Sequence, residues 1–165
     1  MSDSEWYILY TMPKLERKVY TNLTKDGLEA FLPFCNVMRQ WSDRKKTVQV
    51  PLFPNYIFVK LQEKQRNIVF YINGVVRYIC TEGHPCKVSQ SVIDSIKIGM
   101  SSNPEISSEP FVIGQHVKVC SGPLSGLVGV LVERKGKNKL AINLEGIQKV
   151  IMVDVLATQL ELVIV

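Results

Sequence analysis

The chain is 165 residues long, 46% hydrophobic and 21% charged, which is globular rather than disordered and sets its size at one ordinary domain or two small ones. Its net charge of +5 permits a nucleic-acid partner without requiring one. No apolar run approaches the roughly 18–20 residues of a membrane span, and the opening Met1-Ser2-Asp3-Ser4-Glu5 is acidic where a secretion signal is basic, which points to a cytoplasmic protein with no membrane partner.

Trp6 to Thr11 is β-branched and aromatic and reads as a strand, with Trp6, Ile8 and Tyr10 alternating onto one face. Pro13 suits the first turn of a following helix, Leu15, Val19 and Leu23 recur at helical spacing, and Gly27 fits a left-handed C-terminal position. Lys14, Arg17, Lys18 and Lys25 fall on a different side from those apolar residues; for any helix taken alone, that is a solvated face. Ala30 to Met38 and Thr47 to Pro51 are strand-like runs. They flank a hairpin tip, Arg39 to Lys46, that carries four basic residues and Trp41, and an exposed tryptophan among cations is uncommon.

Asn55 to Leu61 is the clearest strand: Ile57, Val59 and Leu61 point one way, Tyr56, Phe58 and Lys60 the other. Lys64 to Tyr71 forms a short helix, Val75 to Cys80 a further strand, and Ser89 or Ser91 caps a last helix with Val92, Ile93, Ile96 and Met100 on its apolar face. The order is β-α-β-β-β-α-β-α, an α+β arrangement with helices against an antiparallel sheet. If helices cover Ile57, Val59 and Leu61, then Tyr56 and Phe58 lie on the other face, where an uncovered sheet normally shows polar residues. Aromatics there point to a binding surface. The RRM consensus is met at Tyr56, Phe58 and Val59 but missed at Pro54, Asn55, Ile57 and Leu61, which argues against RNA stacking of that kind.

Residues 101–110 are polar, contain Pro104 and Pro110, and read as an extended, semi-stiff linker. Beyond them lie five short strands: His116 to Cys120, Leu127 to Glu133, Leu140 to Leu144, Ile147 to Val153 and Leu160 to Val165. Gly126 and Gly129 fit a sharply bent strand, and so many short strands in so few residues make a small SH3-like barrel. Val117, Val119, Val128, Val130 and Val132 are β-branched at period two, which favours strands and no helical state. Charge divides along the same line. Residues 1–100 hold 14 of the 20 basic and 9 of the 15 acidic residues, and residues 101–165 hold 6 of each.

Cys35, Cys80, Cys86 and Cys120 form no C-x-x-C pair, and the spacing of Cys80, His84 and Cys86 matches no common zinc pattern. Buried reduced thiols, with no metal and no cofactor, are expected. With His84 and His116 in different domains, no phosphate loop and no G-x-S-x-G, nothing assembles a catalytic constellation, and the chain is not expected to be an enzyme.

Val117 to Leu131, with Gly122-Pro123-Leu124-Ser125-Gly126 at its centre, resembles a KOW motif. Trp6 to Tyr10, Glu16-Arg17-Lys18-Val19, Phe31-Leu32-Pro33-Phe34 and Pro51 to Val59 resemble the NGN domain that precedes KOW in the NusG family of transcription elongation factors. The resemblance covers almost the whole chain. It implies an α+β NGN domain at 1–100, with an antiparallel sheet and helices on its faces, a linker at 101–110, and an all-β SH3-like KOW barrel at 111–165. It further implies that Tyr10, Phe53, Tyr56 and Phe58 line an aromatic depression that docks on the clamp helices of RNA polymerase, suppressing pausing or termination without catalysis. Lys14, Lys18 and Lys25, with Arg44, Lys45 and Lys46 of the hairpin, would then lie near non-template or upstream DNA.

Leu52-Phe53-Pro54-Asn55-Tyr56 reads closer to the specialised RfaH and UpxY-type antiterminators than to housekeeping NusG, which more often has Gly where Asn55 stands. The His-Thr-Thr segment of RfaH has no counterpart at Gln65-Arg66-Asn67-Ile68. Leu124 replaces an aromatic typical of housekeeping NusG, so a contact of the KOW domain with Rho or a ribosomal protein is left open. The chain is expected to be a monomer. Two alternatives remain at this level: a housekeeping factor coupling polymerase to Rho or the ribosome, and an RNA- or ribosome-binding KOW protein.

Overall fold

The computed structural model describes residues 3–100, 105–107, 114–122, 125–134, 136–147, 149–155 and 159–163. Contacts divide the chain into two compact units, Met1–Gln90 and Ser91–Val165.

In the first unit, β1 (Glu5–Thr11) is the centre of an antiparallel sheet with β2 (Glu29–Phe31), β5 (Tyr56–Leu61), β6 (Val75–Tyr78) and β9 (Lys87–Val88), in the order β2-β5-β1-β6 with β9 also on β1. The β1–β5 register sets Ile8 opposite Phe58 and Tyr10 opposite Tyr56. Residues of odd number on β1 and β5 therefore share one face, and even-numbered residues share the other. Tyr7, Leu9, Ile57, Val59 and Leu61 face the core with Val19 and Leu23 of α1 (Glu16–Lys25) and with Val69 of the 3₁₀ segment Glu63–Tyr71. Burying Val19 and Leu23 completely is worth about 1.5–3 kcal/mol apiece. The expected strand parity is thus the one found.

Helix α1 starts later than Pro13 predicts. Pro13 lies in a turn, Lys14 adopts φ 66°, and the Leu15 N–H donates to the Met12 carbonyl at 3.2 Å before the helix begins. Its other end follows the expectation. Gly27 has φ 80°, its N–H donates to Thr24 O, and the Leu28 N–H donates to Leu23 O at 3.0 Å. Those paired bonds are a Schellman motif, closed by burial of Leu23 and Leu28 in one core.

The run expected at Ala30 to Met38 breaks at Leu32-Pro33 into β2 and β3 (Phe34–Gln40), because Pro33 has no N–H for a ladder. Among the described residues strand β3 pairs only with β4 (Lys45–Pro51), forming a separate two-stranded ribbon. The two-residue strands β7 (Cys80–Thr81) and β8 (His84–Pro85) also pair with each other. They and β9 are too short to leave a period in the sequence.

The second unit opens with most of α2 (Gln90–Gly99), whose Ile93 and Ile96 are buried. Its sheet is antiparallel and six-stranded, in the order β10-β14-β13-β12-β11-β15, from β10 (Glu105–Ser107), β11 (Gln115–Val119), β12 (Val128–Arg134), β13 (Lys137–Leu144), β14 (Lys149–Asp154) and β15 (Leu160–Leu162). The five expected strands are present, and β10 adds a sixth within the stretch whose composition reads as linker. Its backbone pairs Glu105 with Met152 and Ser107 with Val150, on an edge that β14 would otherwise leave open. Residues 101–104, 108–110 and Leu124 lie outside the described residues.

The cysteines are unpaired, yet none is fully buried: Cys80 and Cys120 are exposed, Cys35 and Cys86 half-buried. Cys80 sits on the small β7–β8 hairpin and Cys120 just past β11. The Cys120 thiol donates to Glu161 Oε2 at 3.1 Å, which pushes its pKa up. Among the described residues no helix is long and apolar enough to cross a membrane, and no group of three potential ligands could hold a metal.

Candidate functional site

The sheet face turned away from α1 carries Trp6, Ile8 and Tyr10 of β1, Tyr56 and Phe58 of β5, Phe31 of β2 and, opposite Tyr10, Arg77 of β6. Tyr10 and Tyr56 meet edge to face with ring centroids 5.6 Å apart, and the Arg77 guanidinium stands 5.2 Å over the Tyr10 ring. Phe58 lies between Phe31, at 5.8 Å, and Phe53, at 6.3 Å.

The structure therefore brings the four expected aromatics together but exposes only two of them in part. Tyr10 and Tyr56 are half-buried. Phe53 and Phe58 retain 2% and 0% of their surface, so the expectation that they face outward is corrected. Each packs against the other and Phe58 also against Phe31, a neighbour 27 positions away that strand parity alone does not reveal. Trp6 is likewise buried, its indole N–H donating to Gln90 Oε1 at 2.8 Å.

The turn that presents Phe53 and Tyr56 has a definite chemistry. The Tyr56 N–H donates to Phe53 O at 3.1 Å, Pro54 occupies the second position, and Asn55 the third with φ 73°. That is the type II pattern, which needs a positive φ at its third residue and accepts Gly or Asn there. Asn at position 55 is thereby explained by the backbone. The Asn55 N–H donates to the Glu16 carboxylate at 3.0 Å and its carbonyl accepts from the Thr11 N–H at 2.8 Å. Glu16 is buried at the start of α1, so a single carboxylate ties that helix to the turn. Sequence reasoning passed over Glu16 as a site residue, because a first-turn glutamate ordinarily just complements the helix dipole.

Lys14, Lys18 and Lys25 are exposed, as are Arg44, Lys45 and Lys46, and none has an ion-pair partner among the described residues. Arg17, from the same helix, is turned to structural use. Its guanidinium lies 4.3 Å over the Phe34 ring and donates to Gln49 O at 3.2 Å, fixing the base of the β3–β4 ribbon to α1.

Residues 4–97 match the family model described as "NusG: Transcription termination factor nusG". The chain belongs to the NusG family. Relatives span both units: the protein named transcription termination/antitermination protein NusG of Halalkalibacterium halodurans is 23% identical, with 96% of this chain and 98% of that one covered. The NusG so named from Thermus thermophilus is 25% identical over 91% of this chain and 95% of its own length. A solved structure titled "Domain interaction in Thermotoga maritima NusG" is 23% identical, covers 97% of each chain and has a TM-score of 0.48. This NusG-family chain is thus a transcription termination/antitermination factor, with an α+β NGN domain followed by an all-β KOW domain. Its kin are transcription factors.

Proposed function

We propose that this NusG-family factor acts in the cytoplasm as a monomer, docks the aromatic sheet face of its NGN domain (1–100) on the clamp helices of RNA polymerase and suppresses pausing or termination. The connecting segment is 101–110, with β10 inside it, and the KOW domain is 111–165; residues 101–165 together are neutral, which favours a protein partner, a ribosomal protein or Rho. The observation that carries the reading is the Tyr10–Tyr56 pair: two half-buried rings at the rim of an aromatic sheet face, over a base of Phe53 and Phe58. Such rings offer large contact area with few rotors to freeze, which suits the apolar face of a partner helix. Lys14, Lys18, Lys25, Arg44, Lys45 and Lys46 attract non-template or upstream DNA. Action by preferential binding to one polymerase conformation needs no catalytic group.

Burial of Phe53 decides the experiment. Truncating it to Ala would cost about 3–5 kcal/mol of stability and confound the result. The variant to make is Tyr10→Ala with Tyr56→Ala, which removes the rim and keeps the base. Co-purification with core polymerase should fall at least tenfold, equivalent to about 1.4 kcal/mol, while circular dichroism stays native. Undiminished co-purification of a folded double variant would overturn the docking assignment. In vitro transcription through terminators then separates the branches: read-through on particular templates marks a specialised antiterminator, whereas a uniform effect on all templates marks a general factor.

A further inference from the structure

The β3–β4 ribbon is unusual in what it leaves unsatisfied. Seven cross-strand pairs run from Phe34↔Pro51 at the base to Gln40↔Lys45 at the tip. The base is anchored through Val37, Val48 and Val50, which are half-buried, and through Arg17 on Phe34. From residues 38 to 47 every side chain is exposed. A two-stranded ribbon is marginal in water by itself, so an outer half that buries nothing is a poor stability device.

Its charge pattern makes it poorer still. Arg39 stands directly opposite Lys46, and like charges in that relation destabilise a strand pair. Lys45 and Arg44 follow at once, and no carboxylate among the described residues pairs with any of the four. Among these cations sits Trp41, 48% exposed, with Lys46 Nζ 5.2 Å from the ring centroid. The Trp41 backbone N–H donates to Arg44 O at 2.7 Å and closes the turn that carries the ring.

We propose that this tip is a hook for single-stranded nucleic acid: Trp41 stacks on one unpaired base while Arg39, Arg44, Lys45 and Lys46 hold the flanking phosphates. The inference deepens the nucleic-acid part of the function proposed above and rests on it, but it is independent of docking on polymerase. An indole needs an open base face. Duplex DNA hides its base faces in the stack and offers the ribbon only phosphates, whereas a single strand offers both. An anionic membrane would satisfy the cations as well, but Trp41 and Met38 are the only large apolar side chains at the tip, too little to anchor in a bilayer.

The test uses the full chain without polymerase. Trp6 is buried, so quenching of tryptophan fluorescence by an added ligand reports on Trp41. Titration with an oligothymidylate of about 12 nucleotides, within the usual range of site sizes, should quench the emission. Trp41→Ala should weaken single-strand binding about tenfold, measured by anisotropy of a labelled oligonucleotide, and leave binding to a blunt duplex of equal length unchanged. Arg39→Gln with Lys46→Gln should instead weaken both and lower the single-strand slope of log K against log salt by about 1.4, at about 0.7 per lost phosphate contact. Both changes lie on exposed positions and should leave the melting temperature within about 3 °C, as surface substitutions do. Equal affinity for single strand and duplex, with Trp41→Ala indifferent to both, would overturn the proposal. So would quenching by phosphatidylserine vesicles but not by the oligonucleotide. If the hook binds but Tyr10→Ala with Tyr56→Ala keeps its polymerase, only the docking assignment has failed.

Discussion

Tyr78 shows how much a single side chain couples in this fold. Its hydroxyl donates to Arg66 O at 2.7 Å, and its ring meets Tyr7 at 5.8 Å and Phe70 at 5.7 Å, both edge to face. One phenol thereby joins β6, β1 and the 3₁₀ segment. Burial pushes its pKa above the ordinary 10.0, against the opposing pull of the nearby Arg66 charge. The unfolded chain releases this proton near pH 10 while the folded chain keeps it. The contribution is therefore whole below that pH and is lost as pH rises beyond it. Tyr78→Phe should cost about 1 kcal/mol at neutral pH, for the hydrogen bond, and should flatten the alkaline fall in stability. Thermal unfolding of both proteins at pH 7 and at pH about 11 checks this; parallel alkaline losses would contradict it. At this scale the sequence was half legible. Gly27 announces its cap because a left-handed backbone restricts the residues allowed, whereas Asn55 reads as the start of a strand and its turn with Pro54 shows only in the structure. Phe53 and Phe58 do not announce their burial, which depends on partners brought from other strands.

Among elements, the strands that alternate cleanly were placed well, and those without a pattern were missed. Strands β1 and β5 declare their faces because one side must pack on α1. In β10, three residues of a Pro- and Ser-rich segment, too short to show an alternation, pair through their backbone. The glycine of β12 was legible in kind but not in cause. A Cβ on Gly129 would stand 2.6 Å from the Ala141 carbonyl oxygen and 3.0 Å from Leu140 Cγ, so β12 and β13 approach too closely there for any side chain. Gly129→Ala should force those strands apart at a cost of about 1–3 kcal/mol, the usual penalty of overpacking. Denaturant unfolding should show a lower midpoint at an unchanged m-value, and an undisturbed midpoint would mean that the strand yields freely.

For the molecule as a whole, charge location says more than charge total. The excess of positive charge belongs to residues 1–100, and residues 101–165 are balanced. Lys14, Lys18 and Lys25 are exposed and without ion-pair partners among the described residues, so their substitution by Gln should remove nucleic-acid affinity without disturbing the fold. On a forked duplex the slope of log K against log salt should fall by about 2–3. A slope that stayed put would assign the contact elsewhere. The class of function was legible from the ordered pair of domain motifs, and the family match over residues 4–97 rests on the first of them. Which face meets which partner was less so, because that depends on where rings are covered.

The unpaired cations of the ribbon also act in the absence of any ligand. Strands β3 and β4 each keep a free edge among the described residues, and a free edge invites pairing with another copy of the chain. Arg39, Arg44, Lys45 and Lys46 would be carried into register with their own counterparts in such an assembly, and their repulsion opposes it. The charge that waits for a polyanion thus doubles as a guard against aggregation, and a polyanion that neutralises it also withdraws the guard.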